Sequence, residues 1–378
     1  MKSYFPSESS AGFSLPTKYK EKISTLPKHH GWRVNADFYH YQGFWCYSFF
    51  LEGIMKSQQH FQAQSGDIIL SSAPKTGTTW LKALTFAIVT RHHFDDSTNP
   101  LLTTVPHECV PFLEVDAVED AFHRSPKLPL LATHLPYTSL PNSIMSSHCK
   151  IVYICREPKD AFISLWHFIC KLAPQEEEHV PLEAALDMFC KGISQYGPYW
   201  DHVLGYWKAS LECPERVLFL KYEDLKSDTL HYIKTLADFM GCPFSLEEES
   251  EGVVQKIMNL CSFETLSNLK VNKTGMHRST TPLATKNDVY FRKGNVGDWK
   301  NHLTDEMVHR VDQITEQKFS GTGLMFLQPW VLCTTTWVSN FHVLNPSLEG
   351  MGITRLFSFN GVFFSFCNYP VACTAWKN

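Results

Sequence analysis

The sequence lacks an excess of charge of either sign: it has 34 lysines and arginines against 38 aspartates and glutamates, a formal net charge of −4 over 378 residues. Proteins that bind nucleic acid over an extended surface are usually basic overall. The balance therefore argues against a general nucleic-acid binder, and any recognition of phosphate must depend on individual side chains. Because 44% of the residues are hydrophobic, the chain is also too apolar for intrinsic disorder as its default state.

Paired cysteines are missing as well. The 12 cysteines are scattered singly from Cys46 to Cys373, with no C-x-x-C pair and no Cys/His cluster at zinc-finger spacing. This distribution is typical of reduced thiols in a cytosolic protein, and no metal is expected. The N-terminal sequence MKSYFPSESSAGFSLPTKYKEK is polar and lacks the apolar segment of a signal peptide. We therefore expect a cytoplasmic location.

Charge is scarce in residues 327–378, where only Glu349, Arg355 and Lys377 are charged. A charge-free segment inside this region is long enough to cross a bilayer, but asparagines, a glycine and a proline interrupt it, and we expect no membrane span. We interpret the region as an atypical, apolar and poorly ordered extension.

Residues 1–30 are rich in Ser, Pro and Lys and predict a mobile arm. One domain then remains, residues 31–326. Within it, three short apolar strands each precede a helix, at residues 67–70, 151–155 and 216–221. Pro158 suits a helix start, and Asp224 and Gly241 are the predicted cap and end of a later helix. The alternation predicts an α/β fold with a central parallel sheet flanked by helices, in which ligands bind beyond the carboxyl ends of the strands.

The segment Pro74–Trp80 (PKTGTTW) links the first strand to its helix. A glycine turn at a helix N-terminus presents backbone N–H groups and a positive dipole end to an anion. We predict a P-loop-like anion site formed by Lys75, Thr76, Gly77, Thr78, Thr79 and Trp80. The lysine precedes the glycine and the upstream glycine of a Walker A motif is missing, which weakens a kinase or ATPase interpretation. On local pattern alone, a solvated turn with a stray lysine is the alternative.

Two other segments supply cations. Arg156 follows the second strand, and Ser164 lies about two helical turns later, so both can face one phosphate. Arg292, Lys293 and Gly294 form a compact basic segment whose glycine permits close backbone approach. The alternative for Arg156 is an ion pair with Glu157 or Asp160 on the surface, and the alternative for residues 292–294 is a solvated dipeptide.

His134 lies in the apolar segment LATHLP, where an imidazole can accept a proton near neutral pH. A histidine satisfied within the core is the alternative. Trp80, Tyr222 and Phe263 are candidates for stacking on a nucleobase, although core packing is the simpler interpretation of each one alone.

Taken together, these segments resemble the cytosolic sulfotransferases, specifically the soluble plant branch. The matching stretches run in the family's order between about Gly31 and Phe326: PKTGTTWLKAL, THLPY, CREPKDAFISLWHF, KYEDL, CSFETLSNL and YFRKGNVGDWKNHLT. The resemblance implies a donor, 3′-phosphoadenosine 5′-phosphosulfate, and a small acceptor whose hydroxyl receives the sulfuryl group. A flavonol or another phenol is the preferred acceptor; a brassinosteroid, a hydroxyjasmonate or a desulfoglucosinolate is the alternative. Aromatic residues in the Tyr41–Phe50 stretch are candidates to line an aromatic-substrate pocket, and core packing is the alternative interpretation.

The resemblance also implies roles. By the family's pattern, residues 75–80 hold the 5′-phosphosulfate, and Arg156, Ser164 and residues 292–294 hold the 3′-phosphate. The three aromatic candidates named above then surround the adenine. In an in-line transfer, His134 is the implied general base, and the loop lysine neutralises charge on the departing oxygen.

Some positions depart from the family's pattern. Many relatives carry a lysine where this chain has Ala132, and Asp305 and His309 replace a valine and a glutamate of the animal dimerisation motif. We therefore expect a monomer, and a non-catalytic 3′-phosphonucleotide-binding protein is the alternative function. Residues from Leu327 onward have no recognised counterpart, and we expect them to be dispensable for activity.

Overall fold

The computed structural model describes residues 17–33, 36–117, 128–173, 179–279 and 284–326, and the backbone of three strands near the C-terminus. The chain divides into two compact units, residues 1–322 and 323–378. The described strands of the first unit are β1 (Lys28–Arg33), β2 (Ala36–Tyr41), β3 (Phe44–Tyr47), β4 (Ile68–Ser72), β5 (Leu130–Thr133), β6 (Lys150–Cys155), β7 (Val217–Lys221), β8 (Met276–His277) and β9 (Thr285–Lys286).

The described α-helices are α1 (Thr17–Ser24), α2 (Ser48–His60), α3 (Thr78–Thr90), α4 (Pro106–Cys109), α5 (Leu113–Asp116), α6 (Asn142–Ser146), α7 (Pro158–Leu172), α8 (Leu182–Cys190), α9 (Tyr199–Glu212), α10 (Tyr222–Ser227), α11 (Thr229–Met240), α12 (Leu246–Ser250), α13 (Val253–Leu260), α14 (Phe263–Asn268), α15 (Lys270–Thr274) and α16 (Asp305–Phe319). No helix in these described ranges is long and apolar enough to cross a bilayer.

A four-stranded parallel sheet in the order β5-β4-β6-β7 lies at the centre of the first unit. Ile69 of β4 is opposite Leu131 of β5 on one side and Ile151 of β6 on the other, which sets the register. All of β4 is buried, as expected for a strand covered on both faces. The predicted α/β fold with a central parallel sheet is confirmed.

Successive residues of a strand point to opposite faces of the sheet, and apolar residues on both faces pack against helices. On one face, Leu70 and Val152 join a buried cluster with apolar residues of α3, α11 and α13. On the other face, the ring of Tyr153 stacks on Tyr206 of α9 at a centroid distance of 4.1 Å. A separate antiparallel sheet, β1-β2-β3, precedes this core in the chain.

The structure differs from the predicted arm over residues 17–30, which contain α1 and the start of β1. Tyr19 and Ile23 of α1 are buried, and the Tyr19 hydroxyl donates to Gln59 Oε1 at 3.1 Å. An amphipathic helix with a partner on α2 is therefore present where composition alone predicted mobility. Residues 1–16 lie outside the described residues.

The predicted cap of the helix that ends at Gly241 is wrong. Asp228, not Asp224, caps α11: its carboxylate accepts the backbone N–H of His231 at 3.1 Å. Asp224 belongs instead to the separate short helix α10. α11 ends at Gly241, as predicted, and this glycine has the left-handed conformation.

The C-terminal unit contains β10 (Ile353–Phe359), β11 (Val362–Cys367) and β12 (Thr374–Lys377), which pair as an antiparallel sheet. Its boundary at residues 322/323 lies four residues before the predicted one. Residues 327–352 lie outside the described residues. The prediction that residues 327–378 are a dispensable extension stays a prediction.

Candidate active site at the carboxyl end of the sheet

A cavity of about 450 Å³ lies at the carboxyl ends of the central strands. Each strand is followed closely by a residue that lines it: Pro74 after β4, His134 after β5, Arg156 after β6 and Tyr222 after β7. All predicted site residues except Thr76 line the cavity: Lys75, Gly77, Thr78, Thr79, Trp80, His134, Arg156, Ser164, Tyr222, Phe263, Arg292, Lys293 and Gly294. The fold thus brings segments that are distant in sequence into one site.

The loop between β4 and α3 has the backbone conformation that an anion site requires. Gly77 is the residue before α3 and has φ +118°, a region that side chains disfavour. A Cβ atom there would lie 2.9 Å from the Tyr222 ring and 3.0 Å from Ile154. Glycine carries no capping side chain, so the first N–H groups of α3 stay available to a ligand.

The loop threonines do not all face the cavity. Thr76 is fully buried, and its hydroxyl donates to the carbonyl oxygens of Ala73 at 2.8 Å and Ile154 at 3.1 Å. Its hydroxyl therefore fixes the loop and does not face the cavity. The Thr79 hydroxyl lies 3.0 Å from His107 Nε2, a contact that the sequence analysis did not foresee.

Lys75 has a depressed pKa, lowered from 10.5 to about 7, because its amine is withdrawn from water and lies near Arg292, Arg156 and Lys171. Its Nζ atom lies 4.3 Å from the centroid of the Phe168 ring and 3.5 Å from the carbonyl oxygen of Val289. The neutral amine and the ammonium form of Lys75 are therefore close in free energy at about pH 7 in the ligand-free protein. A polyanion bound in the cavity would favour the ammonium form.

Arg156, which directly follows β6 at the carboxyl end of the sheet, is buried. Its guanidinium lies over the Tyr222 ring at 4.7 Å, donates to the Asn295 carbonyl oxygen at 2.6 Å and lies 3.4 Å from Asp160. The alternative interpretation placed an ion pair of Arg156 and Asp160 on the surface. The two side chains do lie close together, but both are buried, so a surface pair is wrong.

Asp298 organises the third cationic segment. Its carboxylate accepts hydrogen bonds from Arg292 at 2.5 Å, from Lys293 at 2.8 Å and from Asn301 at 3.0 Å. These contacts hold the pKa of Asp298 well below its usual range despite its burial. The two cations are thus positioned at the cavity before any ligand binds.

The three aromatic candidates lie together at this end of the cavity. The rings of Trp80 and Tyr222 are 5.5 Å apart in an edge-to-face arrangement. A Cβ atom on Gly294, which has φ +64°, would lie 2.6 Å from the Phe263 ring, and the Gly294 carbonyl accepts the Tyr222 hydroxyl at 3.0 Å. These residues can surround a flat heteroaromatic ring.

His134 combines an oriented imidazole with a low pKa. Its Nδ1 atom lies 2.7 Å from the carbonyl oxygen of Ser72, so Nδ1 carries the proton and Nε2 keeps its lone pair. Burial lowers the pKa of His134 from 6.5 to about 3, and the nearby positive charges of Lys82 and Lys75 add to that effect. The ring is therefore neutral at physiological pH and able to accept a proton.

Glu114 is a site residue that the sequence analysis missed. It is fully buried, and its carboxylate accepts the backbone N–H of His134 at 2.7 Å, the Thr133 hydroxyl at 2.8 Å and the Tyr196 hydroxyl at 3.3 Å. The Tyr196 ring lies 5.5 Å from the His134 ring. Glu114 precedes His134 by 20 residues, outside every local motif, so no sequence signal identified it.

A buried lysine lies behind this base, although position 132 is alanine. Lys82 of α3 is fully buried; its Nζ donates to the Val110 carbonyl oxygen at 2.8 Å and lies 3.3 Å from the centroid of the Phe112 ring. The same ring lies 4.7 Å from the His134 ring. Burial lowers the pKa of Lys82 well below its ordinary value, so α3 supplies a buried amine near the base rather than a fixed cation.

Further cavity residues that the sequence analysis missed come from segments outside the central sheet: Arg33, His107, Gln195, His277, Arg278 and Tyr290. Tyr47 and Phe50 also line the cavity. They belong to the Tyr41–Phe50 stretch, in which aromatic residues were candidates for a substrate pocket. Within the described ranges, no group of three or more His, Cys, Asp or Glu side chains could hold a metal ion.

Comparison with known proteins agrees with this geometry. The family described as "Sulfotransferase domain" matches residues 65–323. Cytosolic sulfotransferase 16 of Arabidopsis thaliana is 51% identical over 314 residues, which cover 82% of this chain and 92% of that protein. Flavonol 3-sulfotransferase of Flaveria bidentis is 52% identical over 307 residues, covering 80% of this chain and 98% of that protein.

Solved structures show the same fold. A sulphotransferase of Arabidopsis thaliana superposes with a TM-score of 0.65 and 40% identity, covering 84% of this chain and 100% of that chain. A mouse sulfotransferase complexed with 3′-phosphoadenosine 5′-phosphate (PAP) superposes with a TM-score of 0.59 and 27% identity, covering 75% of this chain and 94% of that chain. With a family match over most of its length and relatives at about half identity, this chain belongs to the sulfotransferase family.

Proposed function

We propose that this chain transfers the sulfuryl group of 3′-phosphoadenosine 5′-phosphosulfate to a hydroxyl of a phenolic small molecule, with His134 as the general base. One observation carries the proposal. Nδ1 of His134 donates to the Ser72 carbonyl oxygen at the end of β4, while the loop that continues from β4 is the anion site. The base and the donor loop are therefore fixed to each other through a single strand.

The donor end fits this co-substrate. Two phosphate groups need several cations, and the cavity is lined by Lys75 of the loop and by Arg156, Arg292 and Lys293. The aromatic residues beside Gly294 fit the adenine. PAP in the related mouse structure supports the same co-substrate here.

In the proposed reaction, the acceptor oxygen forms a bond to sulfur as the bond from sulfur to the bridging phosphate oxygen breaks. The acceptor's proton passes to Nε2 of His134, and PAP leaves. Lys75 as an ammonium stabilises the charge that develops on the bridging oxygen. Two contacts orient His134: the Glu114 carboxylate accepts its backbone N–H, and the Ser72 carbonyl oxygen accepts its Nδ1–H.

The acceptor end favours an aromatic molecule. Tyr47, Phe50, Phe112, Phe168 and Tyr196 line the cavity, and flat rings pack well against such walls. The flavonol sulfotransferase relatives from Flaveria support a flavonol or another phenol as the acceptor. Relatives named cytosolic sulfotransferases support a cytosolic location, and we propose a monomer, which gel filtration tests.

The test is transfer of labelled sulfate from the donor to a panel of flavonols, hydroxysteroids, hydroxyjasmonates and desulfoglucosinolates. We expect a labelled phenolic product, and a loss of about 10²–10⁴-fold in kcat for His134→Ala, with PAP still raising the melting temperature. His277→Ala, which also removes a cavity imidazole, is the matched control and should retain far more activity. Near-normal turnover by His134→Ala would exclude the base assignment.

Labelled product from none of the panel, with PAP still stabilising the fold, would instead favour a non-catalytic nucleotide-binding protein. That alternative predicts equal PAP binding by wild type and His134→Ala with no transfer by either protein.

A further inference from the structure

A polar contact at the start of α3 has no part in the reaction proposed above. His107, in the short helix α4, is buried and lines the cavity, and its Nε2 atom lies 3.0 Å from the Thr79 hydroxyl. Thr79 is the second residue of α3 and belongs to the donor loop. A side chain that contacts this hydroxyl from outside the loop can decide where the hydroxyl directs its proton.

Aromatic neighbours hold the imidazole of His107 in place. Its ring centroid lies 4.0 Å from that of Tyr290 and 5.6 Å from that of Phe112, and the planes of the His107 and Phe112 rings differ by only 16°. Burial lowers the pKa of His107 well below its ordinary value. The ring is therefore neutral at physiological pH and carries one proton, on either Nδ1 or Nε2.

The surroundings favour one of these two nitrogens. Nδ1 of His107 is buried and has no hydrogen-bond partner among the residues that the structure describes. A proton on Nδ1 would make it a buried donor without an acceptor, and such donors are rarer in folded proteins than unpaired acceptors. A proton on Nε2 can instead be donated to Thr79 Oγ1. The favoured tautomer therefore has Nε2–H as the donor, the opposite of His134.

This direction of the hydrogen bond leaves the proton of the Thr79 hydroxyl available. Farther along α3, the hydroxyls of Thr85 and Thr90 each donate to the backbone carbonyl oxygen four residues earlier, at 2.7 Å. Within the described ranges, Thr79 makes no such bond, and its hydroxyl contacts His107 instead. The free N–H groups in the first turn of α3 already favour an anion, and the Thr79 O–H can add one more donor there.

We propose that His107 is a positioning residue for the donor: it donates Nε2–H to Thr79 Oγ1 and thereby directs the Thr79 hydroxyl proton to the 5′-phosphosulfate. The inference rests on the proposed binding of the donor at this loop. Hydrogen bonds in such a chain polarise one another, so the His107 contact also strengthens the bond from the Thr79 O–H to an anion. His107 acts through Thr79 and takes up no proton in the reaction.

The test measures PAP binding to the full-length protein by calorimetry. PAP keeps the 5′-phosphate, and adenosine 3′-monophosphate, which lacks it, is the comparison ligand. We expect His107→Leu to weaken PAP binding about threefold to tenfold, the usual worth of one neutral hydrogen bond, and to weaken binding of the comparison ligand much less. His107→Gln retains a side-chain N–H donor and should restore most of the PAP affinity.

A double-mutant cycle shows whether His107 acts through Thr79. In a Thr79→Val background, His107→Leu should have little further effect on PAP binding, because no hydroxyl remains to be oriented. His277→Leu is the matched control: it removes another buried imidazole of the cavity lining, and its effect should add to that of Thr79→Val. Additive effects of His107→Leu and Thr79→Val, equal weakening of both ligands, or unchanged PAP binding by His107→Leu would overturn the proposal.

The tautomer is measured in the wild-type protein, so this part of the test does not depend on the folding of any variant. We expect ¹⁵N NMR spectra of the ligand-free protein to show a neutral His107 with its proton on Nε2, whereas His134 carries its proton on Nδ1. A proton on Nδ1 of His107 would contradict the proposed direction of the hydrogen bond.

Transfer of labelled sulfate is measured separately. Coupling between positions 107 and 79 in PAP binding, without labelled product from any acceptor, would preserve the positioning role and refute the proposed transfer. Labelled product together with additive effects in the cycle would do the reverse.

Discussion

Replacing Gly77 by alanine should destabilise the protein and weaken its donor site together. The backbone at Gly77 has φ +118°, so a side chain there costs about 1–2 kcal/mol in strain. The new Cβ would also lie 2.9 Å from the Tyr222 ring and 3.0 Å from Ile154 Cδ1, and such overpacking costs about a further 1–3 kcal/mol. We therefore expect Gly77→Ala to lower the free energy of unfolding by about 2–5 kcal/mol.

Alanine substitutions at two other glycines distinguish the backbone strain from the steric overlap. Gly252 has φ +72° with no atom within 4 Å of a built Cβ, so Gly252→Ala should show the backbone strain alone. Gly66 has open space and no positive φ, so Gly66→Ala should be close to neutral. The assay is urea unfolding of the three variants, followed by the stabilisation each gains from PAP. If Gly77→Ala costs no more than Gly252→Ala, the steric argument is refuted; PAP stabilisation should fall only in Gly77→Ala, because Tyr222 must move.

Burial and neighbouring cations depress the pKa of Lys75 from 10.5 to about 7, so its contribution to stability is complete above pH 10.5 and is lost as the pH falls to about 7. PAP binding at about pH 8.5 should therefore take up close to one proton, measured by calorimetry in buffers of different ionisation enthalpy, and Lys75→Met should take up much less. His134, with a pKa of about 3, should be neutral in the ligand-free protein at about pH 6 and protonated on Nδ1, and an imidazolium signal in ¹⁵N NMR spectra there would contradict this. Asp298→Asn should reduce the preference for PAP over adenosine 5′-monophosphate about tenfold, because the cations at the proposed 3′-phosphate position lose their anchor; equal preference would argue against that role. Truncation after Phe326 should preserve turnover, and loss of folding on truncation would show that the remaining residues are needed.

The donor half of the site was predictable because its signals are local. A strand, a glycine turn and a helix occupy consecutive positions around Lys75, and Arg156 follows its strand directly. The resemblance of these segments to a known family then supplied roles that residue types alone left open. Thr76 shows the limit even here, because the direction of a hydroxyl depends on Ile154, a partner 78 positions away.

The base and its surroundings were less accessible from the sequence. The strand before His134 has only four residues, too few for periodicity to distinguish it from a loop. Glu114 and Gln195 contact partners 20 and 148 positions away, and no local pattern encodes such contacts. Asp224 was mistaken for a cap because the pattern did not separate α10 from α11.

The antiparallel sheet β1-β2-β3 has a consequence for engineering. Its residues Arg33 and Tyr47 line the cavity, whereas the donor loop continues from the central sheet. The two binding surfaces thus lie on separate lengths of backbone. A library that varies positions 33, 47, 50 and 195 could change which molecule is sulfonated while every member keeps the same donor-binding parts.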